Sequence, residues 1–211
     1  MHEAQAVLLI PDDHIMDKPS SLHNLGMLYR ARLQRFNKLG NLSKAICHQK
    51  EAVLMTPDSH VQKPEWLSSL GFLYHIQFQR EGQPVDTQHC ANFLAKSAYS
   101  QSGHPLVKLE ASINWVHVLF EHALGLQIEA YTWAMAFVLQ VIWLSIAVSN
   151  WYECIMSDFE GLAVEAAHVA ILLQDYPKAL KWLEDVSWIR TLFKLLALFQ
   201  SVIYSLKLVL E

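Results

Sequence analysis

The chain has 211 residues, of which 53% are hydrophobic types and 17% charged, and its formal net charge is -4. That profile excludes wholesale disorder, and without a basic excess the chain has no field to hold a phosphate backbone. Seven glycines and seven prolines, all but one of the prolines before Val107, leave long stretches without strand or turn punctuation, so a helical protein is expected.

In chain order, the opening MHEAQAVLLIPDD has no basic region before its short apolar run and does not read as a secretory signal. A repeat follows. PDDHIMDKPSSLHNLGMLY (Pro11 to Tyr29) recurs as PDSHVQKPEWLSSLGFLY (Pro57 to Tyr74), offset by 46 residues up to His60 and by 45 from Lys63 onward. Ala6-Val7, Ala52-Val53 and Ala98-Tyr99 sit 46 apart, as do Ala45 and Ala91, and a decayed third loop follows at Gly103-His104-Pro105. Leu22, Leu25, Gly26 and Tyr29 fall at i, i+3, i+4 and i+7, and Leu67, Leu70, Gly71 and Tyr74 repeat the pattern, so each set shares one helical face. A glycine in mid-helix costs about 1 kcal/mol against alanine, which predicts close approach of a second helix at Gly26 and Gly71, facing Ala45 and Ala91. Pro19 and Pro64 fit the first turn of a helix. Each unit is expected to be a helical hairpin.

Large-x-x-Leu-Gly-x-x-Tyr on one helix, then Ala, Ala and Pro on the next, resembles the tetratricopeptide repeat (TPR), lengthened here to about 45 residues. More narrowly, Thr56 to His60 and Lys18 to Phe36 resemble the long-repeat TPR arrays of basidiomycete fungi, which often precede a caspase-like CHAT domain. Leu126 to Ile146 looks like the helix that follows those arrays. Gly161 to Asp185 is similar to a final unit, with Ala167 and Ala179 twelve apart and Leu183 four later. Val186-Ser187-Trp188 stands where the family has a Gly-Arg segment, and a CHAT domain is not expected in this chain.

Eleven histidines form no HExxH or compact cluster at ligand spacing, so no metal or cofactor is expected. His14, His60 and His104 recur in the loops and should pack over or cap the neighbouring hairpin. Cys47, Cys90 and Cys154 are odd in number and widely spaced, which suits buried free thiols in a reducing compartment and makes the cytoplasm the expected address. Cys47-His48 and His89-Cys90 occupy different repeat registers and do not form one thiol-imidazole pair used twice.

Ala130 to Tyr152 is 23 residues without a charge. Its length would permit a membrane span, but no Lys or Arg lies within 20 residues of either end, and a helix inside a solenoid is apolar nearly all round. Leu192 to Leu210 has an amphipathic pattern and is expected to cap the array.

The fold expected is all-α: a right-handed, TPR-like α-solenoid over 1–188, with clear repeats at 11–56 and 57–103, decayed units at 104–149 and 150–188, and a hydrophobic C-terminal capping helix over 189–211. Its function is expected to be non-catalytic binding of a protein or peptide partner in a groove lined by the first helices, where helical phase points to His23, Asn24, Arg30, Ser68, Ser69 and His75. The competing readings are a membrane-anchored adaptor using 130–152 or 192–210, and a truncated relative of the TPR/CHAT caspase-like proteins.

Overall fold

The computed structural model describes residues 17–120, 124–145 and 152–191, and these residues are helical with short connections. The helices are α1 (Asp17–Phe36), α2 (Leu39–Met55), α3 (Lys63–Glu81), α4 (Pro84–Tyr99), α5 (Pro105–Phe120), α6 (Leu124–Ser145) and α7 (Tyr152–Leu172), followed by α8 over 176–191. The fold is all-α, and neighbouring helices pack in pairs: α1 with α2, then α3 with α4, with α3 also against α2 and α5 against both α3 and α4. The chain divides into two compact units, 1–137 and 138–211, each described by itself below.

Both clear hairpins turn by the same device. Asn37 and Gly82 adopt φ of 51° and 68°, and their N–H groups donate to the carbonyls of Leu33 and Phe78 at 2.8 and 2.7 Å. A left-handed residue just past the last turn closes a helix end, and Gly and Asn adopt that conformation with least strain. These two positions are 45 residues apart, and so are the first helices' packing residues. Leu22, Leu25, Tyr29 and Leu33 of α1, like Leu67, Leu70 and Tyr74 of α3, are buried.

The second helices follow the same 45-residue register, which corrects the 46-residue offset that the alanine pairs suggest. A Cβ on Gly26 would lie 3.3 Å from the Ala45 carbonyl and 3.1 Å from Gln49 Oε1, as the expected pairing requires. A Cβ on Gly71, however, would meet Leu94 Cγ at 3.0 Å and the Cys90 carbonyl at 3.3 Å, not Ala91. Cys90 and Leu94 are 45 residues after Ala45 and Gln49. The ring contacts agree: Tyr29 stacks on His48 at 5.6 Å beneath the Lys44 ammonium, and Tyr74 stacks on Phe93 at 5.7 Å beside His89. Cys47 therefore corresponds to Asn92, and the two Cys-His neighbours remain in different registers.

Stacking of one hairpin on the next depends on polar joints. The Lys63 ammonium is buried and donates to the carbonyls of Val53 and Thr56 at the end of α2, with Asp58 at 3.5 Å. The Val53 carbonyl otherwise accepts only the Thr56 N–H, at 3.4 Å, and a cation at this helix end also favours the helix dipole. Gln49 Nε2 donates to the Trp66 carbonyl at 2.9 Å across the same joint, while inside the second hairpin Ser97 Oγ donates to the Pro64 carbonyl at 2.7 Å. His104 Nδ1 accepts from the Leu106 N–H and caps the start of α5, whereas His60 Nδ1 accepts from the Gln62 N–H ahead of α3 and its ring packs on Trp66 at 5.8 Å. His14 lies outside the described residues.

Ala130, Ala134 and Phe137 form one buried stripe of α6 within the first unit, and Tyr131 and Met135 form another. These stripes account for the apolar residues at 130–137 by packing, and no described helix is long and apolar enough to cross a membrane. In the second unit, α7 buries Ala163, Ala166, Ala167 and Ala170, and α8 buries Ala179, Trp182, Val186 and Ile189. Ala167 and Ala179 are both core, whereas Leu183 is exposed because the buried face of α8 passes through Trp182 and Val186. Between these helices Gln174 takes φ of 61°, and Asp175 Oδ1 accepts the Lys178 N–H. The tail 192–210 lies outside the described residues.

Gly71→Leu should overpack the α3/α4 contact at a cost of about 1–3 kcal/mol, and Gly71→Leu/Leu94→Ala should recover part of it. Thermal melts check this. A single variant as stable as the parent would contradict the close approach at Gly71.

Candidate binding surface

First helices carry the surface, because their burial repeats every 45 residues. On α3, Lys63, Trp66, Leu67, Leu70, Leu73 and Tyr74 are buried, and their counterparts on α5, from Lys108 and Ala111 to Val118 and Leu119, are buried as well. The residues left between those positions form rows along adjacent helices. Met27, Phe72 and His117 make one row; Arg30, His75 and Phe120 make the next.

The centre of the surface lies between α1 and α3. Arg30 is half-buried, with its guanidinium carbon 4.4 Å from the centroid of the Phe72 ring, a cation-π geometry. Phe72 is 37% exposed, so one face of its ring is occupied by the guanidinium while part of the side chain still meets solvent. His75 lies one turn on, its ring 6.4 Å from that of Phe72, with Nε2 at 2.8 Å from Gln79 Nε2. A large aromatic, a planar cation and an imidazole thus meet within one patch. This combination suits recognition of carboxylates, carbonyls and apolar side chains.

The six residues expected at the groove divide between two environments. Arg30 and His75 join Phe72 as described, and Ser68 and Ser69 are half-buried on the same helix. Asn24 is exposed. His23 is half-buried and engaged: its Nδ1 lies 3.1 Å from Gln49 Oε1, and its ring stacks on Trp66 at 5.5 Å. It ties α1 to α2 and α3 and is part of the joint between hairpins. Phe72 was not singled out by sequence, although its position between Ser68 and His75 on the helix would have placed it on the surface.

Of the described thiols, Cys90 is the one whose environment sets its chemistry. Burial pushes the Cys90 thiol up to about 12, against a weaker opposing hydrogen bond with the His75 backbone, so it is not a ready thiolate. Cys47 is exposed, which departs from the buried thiol expected there, and Cys154 lies outside the residues whose burial is described. Among the described residues, no group of three His, Cys, Asp or Glu is placed to hold a metal ion. On the second-helix side an open cleft of 880 Å³ is lined by Val53, Leu67, Phe93 and Tyr99, with Lys63 at its wall. The Lys63 ammonium there is already engaged by two carbonyls and Asp58.

Burial pulls the His23 imidazole below its ordinary 6.5, partly offset by the Gln49 hydrogen bond and by Glu65. As pH falls through 6.5 the unfolded chain takes up the proton before the folded one, so the contribution of His23 is present above that value and is lost from there down to the lower folded-state value. Between about pH 7.5 and about 5.5, His23→Gln should therefore lose less of its melting temperature than the parent. Equal losses in pH-matched melts would contradict the burial of a neutral His23.

Comparison with protein-family models and with curated proteins finds no match for this chain.

Proposed function

We propose that the chain is a non-catalytic scaffold of tetratricopeptide type, binding a protein or peptide partner across the first helices α1 and α3. The observation that carries this reading is the Arg30–Phe72–His75 patch, in which a partly exposed aromatic ring is held in place by a guanidinium from the neighbouring helix. Aromatic and arginine side chains on rigid elements dominate the energetics of protein interfaces, and ordering them beforehand lowers the entropy cost of binding. The 45-residue periodicity supports the resemblance to long-repeat TPR arrays, including those of fungal CHAT-associated proteins. Burial of Cys90, which disfavours its thiolate, argues against that thiol as a nucleophile. A reducing address such as the cytoplasm agrees with the free thiols of Cys47 and Cys90.

A photo-crosslinking phenylalanine analogue at position 72 of the full chain should trap the partner from cell extract. Purified partner should then bind Phe72→Ala and Arg30→Ala about tenfold or more weakly, with helicity and melting temperature retained. A partner that binds these variants as tightly as the parent would contradict the assignment of the patch.

A further inference from the structure

The burial of α1 departs from that of α3 and α5 along one stripe. Lys18 and Ser21 are half-buried and Leu28 is 52% exposed. Their counterparts on α3, Lys63, Trp66 and Leu73, and on α5, Lys108, Ala111 and Val118, are all buried, with Leu73 at 1%. Spacings of i, i+3 and i+10 put the three departures on one side of the helix. On α3 that side receives α2: Lys63 reaches the carbonyls of Val53 and Thr56, and the Trp66 carbonyl accepts from Gln49. The stripe is therefore shaped to seat a helix, and on α1 the seat is open at Leu28.

The open part has its own chemistry. Leu28, Arg32, Arg35 and Phe36 follow at i, i+4, i+7 and i+8 around a 410 Å³ depression floored by Leu25 and Tyr29. Leu28 and Phe36 are both more than half exposed, and the Arg35 guanidinium lies 5.3 Å from the Phe36 ring centroid. At the places of Arg32 and Phe36, α3 carries Gln77 and Glu81, so this arrangement is specific to α1. Residues 18–50 contain seven Lys and Arg and no Asp or Glu, and neither Arg32 nor Arg35 has a carboxylate partner among the described residues. Helical phase puts this face on the opposite side of α1 from His23 and Arg30, so it stands apart from the patch described above.

We propose that the Leu28–Arg32–Arg35–Phe36 face of α1 binds an acidic amphipathic helix of a partner protein. The apolar side of that helix covers Leu28 and Phe36, and its flanking Asp or Glu side chains meet the two guanidiniums. The preceding residues 1–16 of this chain and a second copy of it are the other occupants that the test distinguishes.

The test uses the full chain and a fluorescent, end-capped peptide of about 14 residues, long enough for about 21 Å of helix. It carries leucine at i, i+3, i+4, i+7 and i+11 and glutamate on the flanks, and a second peptide carries lysine in place of glutamate. Anisotropy titrations should show that the glutamate peptide binds and the lysine peptide does not. Arg32→Glu/Arg35→Glu should weaken binding about tenfold or more, as should a rise in salt from about 50 to about 300 mM, whereas Lys181→Glu should change it less than twofold. Leu28→Ser/Phe36→Ser supplies the second variant and should weaken binding equally, with circular dichroism as the check on folding. Binding that is indifferent to both double variants, or equal for the two peptides, overturns the proposal. So does binding seen only after Asp12→Lys/Asp13→Lys, which would assign the face to residues 1–16. Self-association abolished by Arg32→Glu/Arg35→Glu, without peptide binding, would assign it to a second copy.

Discussion

A single joint, the buried ammonium of Lys63 against the last carbonyls of α2, fixes how the second hairpin meets the first. Helix ends present carbonyls without internal donors, and burying them unpaired costs about 1–3 kcal/mol each. Lys63 resolves that problem for α2 while beginning α3, so one side chain sets both where a helix stops and where the next starts. Gln49 adds a second fastening to the Trp66 carbonyl, and within the first hairpin its Oε1 meets His23. With that register set, Arg30 of α1 comes to lie over Phe72 of α3. The Arg30–Phe72 contact thus depends on the joint: a shift of one residue along α3 would rotate Phe72 by about 100° away from its cation.

The hairpins were legible in the sequence because a 3.6-residue period of large apolar side chains, broken by a glycine at the same place in both copies, has few other physical meanings. Register was less legible. Ala45 and Ala91 are alike in type, yet the position that approaches Gly71 is Cys90, since the two-residue turns at Asn37 and Gly82 hold both helices of each hairpin to one 45-residue spacing. Gln49 and Leu94 illustrate why identity misleads: they occupy one structural position, but Gln49 acts there through its hydrogen bonds and Leu94 through its volume. At the candidate site, phase alone located Arg30 and His75, and it could not see that His23 is drawn into the joint by a glutamine 26 residues away. Leu28 was invisible for a different reason, because its exposure depends on what covers α1 and not on its own helix.

Charge shows the same contrast between totals and placement. A net charge of -4 argues against any strongly basic surface, yet residues 18–50 alone carry seven cations without a carboxylate. Residues 109–177, by contrast, contain no Lys or Arg. Local fields of this kind steer encounter and select partners even when the whole molecule is acidic. In this chain they give α1 two chemically distinct faces: Arg30 is committed to an aromatic ring on α3, whereas Arg32 faces solvent.

The first and second hairpins are held together chiefly by the Lys63 joint at the end of α2. Equilibrium urea unfolding of Lys63→Met, beside Lys181→Met as an exposed control, tests it most directly. Lys63→Met should lose about 1–3 kcal/mol by leaving the Thr56 carbonyl without its side-chain donor and the Val53 carbonyl with only the long Thr56 N–H bond, while Lys181→Met stays within about 0.5 kcal/mol of the parent. Equal stability of the two variants would contradict it.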